Sequence, residues 1–210
     1  MLTLTENNTS AAPSELAFEA ALGEACAQLG RCLDDLGPHF PGDTSIASRF
    51  EPSAWADVPR GTNGSWSAGF WTGLLWMARE LSGEARFADA ARAHLPSYAQ
   101  RLDKHYVLDH HDLGFLYLPS CVAALRSGVD ATDTALRAAD LLMKRYLPRA
   151  GVIQAWGQLD DPAQRGRIII DCLLNLPLLH WASARQVALH QQVGGAQRGV
   201  GRVHTAAQRG

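Results

Sequence analysis

The sequence predicts an all-α protein made of helical hairpins in two layers. Segments that are apolar on most faces alternate along the chain with segments whose apolar residues recur at three- and four-residue steps. That is the pattern of buried helices paired with half-exposed ones. The hairpin also repeats: Ser82-Gly83-Glu84 and Ser127-Gly128-Val129-Asp130 mark equivalent turns, about forty-five residues apart, the spacing of a stacked helical repeat. With 210 residues the chain is long enough for one sizeable core. A 47% hydrophobic, 19% charged composition is that of a globular protein.

Residues 1–12 are polar and aperiodic, and are expected to be a disordered terminus. From about Ser14 to Leu36 the residues Leu22, Ala25, Leu29, Cys32, Leu33 and Leu36 line one helical face, and Gly37-Pro38 stops the helix. Residues 37–65 read as a long loop rich in Pro, Gly, Asp and Ser, which in a compact domain is usually functional. The run from Trp66 to about Leu81 carries Trp71, Trp76 and Met77 and is apolar on most faces, so it is expected to be an inner, buried helix. Ala85 to about Leu102 is its amphipathic partner. The unit recurs as helices from about Leu116 to Arg126 and Thr132 to Leu147, and a third begins at Cys172 and runs to about Ser183. A single helical domain over 13–183 follows.

The pattern fails in residues 184–210. They contain Arg185, Arg198, Arg202 and Arg209, no acidic or aromatic residue, and no leucine after Leu189. Little stable structure is expected beyond about residue 190, and the segment is taken as a disordered tail. Its composition is that of GC-rich DNA translated out of frame; a natural flexible basic tail is the other reading.

Two stretches carry the chemistry. Asp109-His110-His111-Asp112 sets two acids and two imidazoles directly before the apolar run Leu113–Tyr117. Asp171 stands alone in Ile168-Ile169-Ile170-Asp171-Cys172-Leu173-Leu174, the most hydrophobic run of the chain. Desolvation there is expected to raise the carboxyl pKa toward the value a general acid needs. Trp66, His111-Asp112 and Asp171 each lie where the chain enters an inner helix, and in a layered ring such entries come to one end. Asp112 and Asp171 are therefore expected to share a site. Trp66 and Trp156 lie outside helices beside Gly and Gln, where an exposed indole can stack on a sugar ring. The plainer reading makes Asp112 and Asp171 helix N-caps and Asp160-Asp161-Pro162 a surface turn. No metal or cofactor is expected: adjacent residues such as His110-His111-Asp112 rarely all face one ion, and no further ligand-spaced His or Cys accompanies them.

Several classes are set aside. A net charge of −2 gives no electrostatic case for nucleic acid or an anionic membrane. The first twenty residues lack a signal peptide's basic and apolar regions, and no stretch reaches bilayer-spanning length. Cys26, Cys32, Cys121 and Cys172 lack Cys-x-x-Cys spacing and read as buried thiols of a reducing cytoplasm.

Four motifs, W-S-A-G-F-W-T-G-L-L-W at 66–76, H-H-D-L-G-F-L-Y at 110–117, I-Q-A-W-G at 153–157 and D-C-L-L-N-L-P-L-L at 171–179, resemble glycoside hydrolase family 88, the unsaturated glucuronyl hydrolases. The resemblance covers about residues 15–183. It implies an (α/α)6 barrel, here about its first half, and hydrolysis of oligosaccharides that carry a 4,5-unsaturated uronic acid at the non-reducing end. It implies a hydration mechanism, with a proton to C4 and water to C5 of the vinyl ether, after which the hemiketal opens. It also implies Asp171 as general acid/base, Asp112 as the second essential aspartate, and His111, Trp66 and Trp156 as sugar-subsite residues. A half barrel would expose the flanks of its inner helices, a surface for self-association, and would have little or no activity. The alternatives are an inactive sugar-binding or scaffold fragment and a rhamnogalacturonyl-type hydrolase of similar fold.

Overall fold

The computed structural model describes residues 15–55 and 58–187. Helix α1 (Glu15–Leu36) leads into a small antiparallel hairpin, β1 (Pro41–Ile46) and β2 (Arg49–Pro52). Helices α2 (Ala68–Ser82) and α3 (Ala85–Lys104) follow, then the short α4 (Leu113–Tyr117), α5 (Thr132–Met143), a second two-stranded hairpin, β3 (Tyr146–Leu147) and β4 (Val152–Ile153), and α6 (172–187). Residues 1–12, expected to be a disordered terminus, and residues 188–210 of the expected disordered tail lie outside the described residues. Residues 184–187 continue α6.

The helices form the two expected layers. In the inner layer, α2, α4 and α6 approach closely enough that only glycine fits between them. A Cβ on Gly69 would lie 2.0 Å from the Phe115 carbonyl, one on Gly73 would lie 2.7 Å from Pro119 Cβ, and one on Gly114 would lie 2.4 Å from Asn175 Cα. Ion pairs of Arg86 with Asp34 and of Arg137 with Asp103 tie the outer helices α1, α3 and α5 in the same order. Between the layers lies one core that includes Trp71, Leu75, Trp76, Phe87, Tyr98, Leu113, Leu116, Tyr117, Leu142 and Leu178. The buried Trp76 indole donates to the Ser120 carbonyl at 3.0 Å. This arrangement is an arc of helical hairpins, part of an α/α barrel.

Several details depart from the sequence reading. Residues 37–65 contain the β1–β2 hairpin. Helix α4 starts at Leu113, three residues early, and continues through a π turn over Leu118–Val122 and a 3-10 turn over Leu125–Ser127. Pro119 has no N–H to give to the carbonyl four residues back, which accounts for the widened turn. Helix α5 ends at Met143, because Tyr146 and Leu147 pair with β4 instead.

The largest departure concerns burial. Trp71 and Trp76 are buried, but Met77 is 55% exposed, and Phe70, Leu74 and Leu81 on the same side of α2 are also exposed. They border an apolar groove of about 500 Å³ against Leu22, Cys26 and Leu29 of α1. At the opposite end of the arc the run Ile168–Ile170 is open to solvent, with Ile170 86% exposed, beside a second apolar groove of about 650 Å³ that reaches Tyr146 and Leu173. Within the inner layer, among the described residues, α2 and α6 each have a neighbouring inner helix on one side only, α4. Hydropathy marks the residues able to be buried, not those that find a cover.

Candidate active site

The loops that enter α2, α4 and α6 meet at one end of the arc. Trp66 precedes α2. His110, His111 and Asp112 precede α4, and Asp112 occupies the N-cap position without a side-chain cap bond. Asp171 precedes α6. The fourth wall is the strand-like segment after β4: His111 N–H donates to the Ala155 carbonyl at 2.7 Å, and His110 faces Trp156 in an antiparallel bridge. Asn175 locks α6 to α4, accepting from Phe115 N–H at 2.9 Å and donating to the Asp171 carbonyl at 3.3 Å. Together Trp66, His110, His111, Asp112, Ala155, Trp156, Ile169 and Asp171 line a cavity of about 170 Å³. It is smaller than either apolar groove, yet it is where the ionisable groups converge.

His111 is the hub. It is 2% exposed, and its Nε2 lies 3.1 Å from Asp112 Oδ1 and 3.4 Å from Asp171 Oδ1. Its Nδ1 is buried and has no hydrogen-bond partner. A buried orphan donor costs more than a bare lone pair, so the network assigns the proton to Nε2, between the carboxylates. His110 Nε2 faces the Val107 carbonyl at 2.9 Å and must donate to it, since a carbonyl only accepts. His110 Nδ1 then accepts from Asp112 N–H at 3.1 Å, and in the imidazolium form it donates to Asp112 Oδ2 at 3.2 Å.

The two acids sit in contrasting surroundings. Burial pushes the Asp112 carboxyl up, but hydrogen bonds and charge from His110 and His111 outweigh it and hold the group well below the usual carboxylate range. Asp112 is therefore an ionised, donor-rich carboxylate. Asp171 is 32% exposed, and its buried Oδ1 makes no hydrogen bond, the His111 contact being too long and poorly aimed for one. Its setting differs from the expected buried apolar run, since the preceding isoleucines face solvent.

The half-exposed indoles of Trp66 and Trp156 flank the mouth, and Trp66 is steadied by ring contacts with Phe70 and Phe115 at 6.1 and 5.8 Å. Thus Asp112, Asp171, His111, Trp66 and Trp156 share one pocket. His110 completes it; the His-His-Asp run was the signal for it. Asn175, Arg101, Arg145 and Gln154 also shape the site, and none carries a local sequence signal. His111, Asp112 and Asp171 present three donor atoms within 4.8 Å of one another, so adjacent residues do converge here. Such a set is able to hold a divalent cation.

An arc of alternating inner and outer helices with an acid–histidine–acid pocket at the inner-helix entries defines an α/α-barrel protein with a carboxylate-based site. The relatives are specific. The chain is similar to the unsaturated glucuronyl hydrolase of Bacillus sp. (strain GL1), at 41% identity over 167 residues, 79% of this chain and 42% of that protein. The crystal structure of that enzyme, described as responsible for glycosaminoglycan degradation, matches with a TM-score of 0.70. The unsaturated chondroitin disaccharide hydrolase of Streptococcus agalactiae is 37% identical over 171 residues, 80% of this chain and 41% of that protein. A variant from that species, solved in complex with dGlcA-GalNAc6S, matches at 32% identity with a TM-score of 0.66 over 87% of this chain and 43% of that one. No family model matches. The resemblance to the unsaturated glucuronyl hydrolases therefore holds over about four fifths of the chain, which spans about two fifths of the length of the curated relatives. Among the described residues no helix is long and apolar enough to cross a membrane.

Proposed function

We propose that the pocket is the acid–base centre of an unsaturated glucuronyl hydrolase. The observation that carries this is the placement of Asp112 and Asp171 on either side of His111 Nε2, between two half-exposed tryptophans. Asp171, short of donors and open to the pocket, is the general acid in this reading. It gives the proton to C4 of the 4,5-double bond, leaving an oxocarbenium at C5. Water adds at C5 and returns a proton to the Asp171 carboxylate. The resulting hemiketal opens by breaking the bond from C5 to the ring oxygen, the hemiacetal so left at C1 collapses and releases the remaining sugar, and the net change is addition of one water. Asp112 stays ionised and orients His111, whose Nε2 lies 3.4 Å from Asp171 Oδ1. The carboxylates form no covalent glycosyl intermediate, unlike those of a retaining glycosidase. The indoles stack on the sugar.

The ligand class is an unsaturated uronic-acid oligosaccharide. The assay follows loss of conjugated-uronate absorbance on lyase-generated disaccharides, using this chain and a chimera in which residues 15–187 replace the homologous part of the Bacillus enzyme. Turnover by a folded chimera that disappears in Asp171→Asn supports the reading. A folded chimera that leaves chondroitin, hyaluronan and gellan fragments untouched overturns it. Binding of an unsaturated disaccharide by this chain without turnover identifies a sugar-binding protein.

The two exposed apolar faces, at α1–α2 and around Ile168–Ile170, are self-association surfaces in this reading. Sedimentation velocity is expected to show concentration-dependent species, and a monomer at every concentration argues against them. Four free cysteines suit a reducing cytoplasm.

A further inference from the structure

We infer that Arg101 and Arg145 are paired positioning residues: chiefly through backbone carbonyls, the buried guanidinium of Arg101 holds the Trp66 and His110 loops and that of Arg145 holds the Trp156 loop. The inference deepens the reading of the pocket as a catalytic site and rests on that reading for its consequence in turnover.

Arg101, in the last turn of α3, is 0% exposed. A buried guanidinium normally has a carboxylate partner; among the described residues this one has none within ion-pair distance. Its charge goes instead to carbonyl oxygens. Nη1 donates to the Asn63 backbone carbonyl at 3.1 Å, to Asn63 Oδ1 at 3.0 Å and to the Ser65 carbonyl at 2.9 Å, and Nη2 donates to the Val107 carbonyl at 2.6 Å. Asn63 and Ser65 lead into Trp66. The Val107 carbonyl is the same oxygen that receives His110 Nε2–H, and His110 Nδ1 in turn receives Asp112 N–H. One guanidinium thus fixes both the approach to Trp66 and the chain Val107–His110–Asp112. Val107 needs holding, since its φ of +48° is a left-handed conformation that a β-branched residue adopts only under constraint.

Arg145 stands just after α5, the outer helix of the next hairpin, whereas Arg101 lies within the last turn of α3. It too is buried and directed at carbonyls: Nε donates to Gln154 O at 2.8 Å and Nη2 to Gly157 O at 3.0 Å, bracketing Ala155 and Trp156. Buried Gln154 extends the clamp, donating to Trp156 O at 3.0 Å and accepting from Gly166 N–H at 2.9 Å. The two arginines stand near the C-terminal ends of successive outer helices and perform similar tasks, one on the Trp66 and His110 loops, the other on the Trp156 loop. Lysine cannot replace either, because a single ammonium lacks the rigid fork that spans carbonyls on separate segments.

The test uses the full chain and needs no turnover, so a failure of the catalytic reading is seen separately in the absorbance assay. Arg101→Lys and Arg145→Lys are compared by amide hydrogen exchange and by the indole resonances. Arg101→Lys is expected to cut protection of the Asp112 amide about tenfold or more and to shift the Trp66 indole, leaving Gly166 and Trp156 unchanged. Arg145→Lys is expected to do the reverse, exposing the Gly166 amide and shifting the Trp156 indole. In both, the Leu75 amide in the core of α2 keeps its protection. A general packing role would lower protection throughout and alike in the two variants, and that result overturns the inference, as does unchanged protection at Asp112 in Arg101→Lys. Should the lysine variants not fold, Asn63→Ala removes one anchor of Arg101 without touching the guanidinium. It is expected to give a smaller loss of protection confined to Asp112, and no loss there overturns the inference equally.

Discussion

Gly114→Ala places a methyl group where α6 already stands. The new Cβ would lie 2.4 Å from Asn175 Cα and 2.6 Å from Asn175 Oδ1. Carbon atoms pack at about 3.5–4.0 Å, so α6 must retreat by about 1 Å. Backbone cannot swing aside as a flexible side chain can, and overpacking of this kind costs about 1–3 kcal/mol. For a domain of this size that lowers the melting temperature by roughly 2–12 °C. The 2.9 Å bond from Phe115 N–H to Asn175 Oδ1 is lost, and Asp171, just before α6, moves away from its 3.4 Å contact with His111. Circular dichroism melts and exchange at the Phe115 amide read the two effects directly. In an active chimera the same displacement is expected to cost about 100-fold in turnover. Gly23→Ala is the control: its Cβ would meet nothing within 4 Å, and relief of helix-interior glycine is expected to stabilise α1 by roughly 0.5–1 kcal/mol. Gly114→Ala melting within a degree of the parent, with the Phe115 amide still protected, would refute the claim that glycine sets the α4–α6 distance and so the pocket.

Asp171→Asn is expected to leave the melting temperature of the chimera unchanged and to lower turnover by about 10²–10⁴-fold, since the amide has no proton to give to carbon; near-parental turnover would remove Asp171 from the chemistry. Asp112 has a folded pKa below its unfolded one, so its stabilising contribution is complete above the ordinary carboxylate range and is lost as pH falls through that range toward the folded value. The melting-temperature gap between parent and Asp112→Asn is therefore expected to shrink as pH falls from about 5 to about 2, and a gap constant with pH would contradict the donor-rich site. Trp76→Phe removes the indole donor from the Ser120 carbonyl, which keeps the Ala123 N–H, and leaves a void, at an expected cost of about 1–3 kcal/mol in denaturant unfolding; a loss below half a kcal/mol would show that the indole bond adds nothing.

Local sequence information located the helices and the turns of the hairpins, because apolar periodicity and Ser-Gly stops act within one turn of chain. It also brought Trp66, His111-Asp112 and Asp171 to one end, because each precedes an inner helix and a layered ring aligns those entries. The sequence could not say which apolar faces are covered. Phe70, Leu74 and Met77 read like core residues and stand in solvent, as do the three isoleucines before Asp171. Burial depends on a neighbouring element, which no local pattern specifies. The β1–β2 hairpin was likewise missed, its residues being turn formers with no alternating apolar face. Only the tertiary structure decided the contrast between the two acids. Whether a carboxylate receives donors from two imidazoles, as Asp112 does, or stands with a bare oxygen, as Asp171 does, depends on inter-helix distances of a few tenths of an ångström. Those distances are set by Arg101 and Arg145 beneath the loops and by Gly69, Gly73 and Gly114 between the inner helices, glycines whose partners lie tens of positions away in the chain and meet them only once the layers have packed.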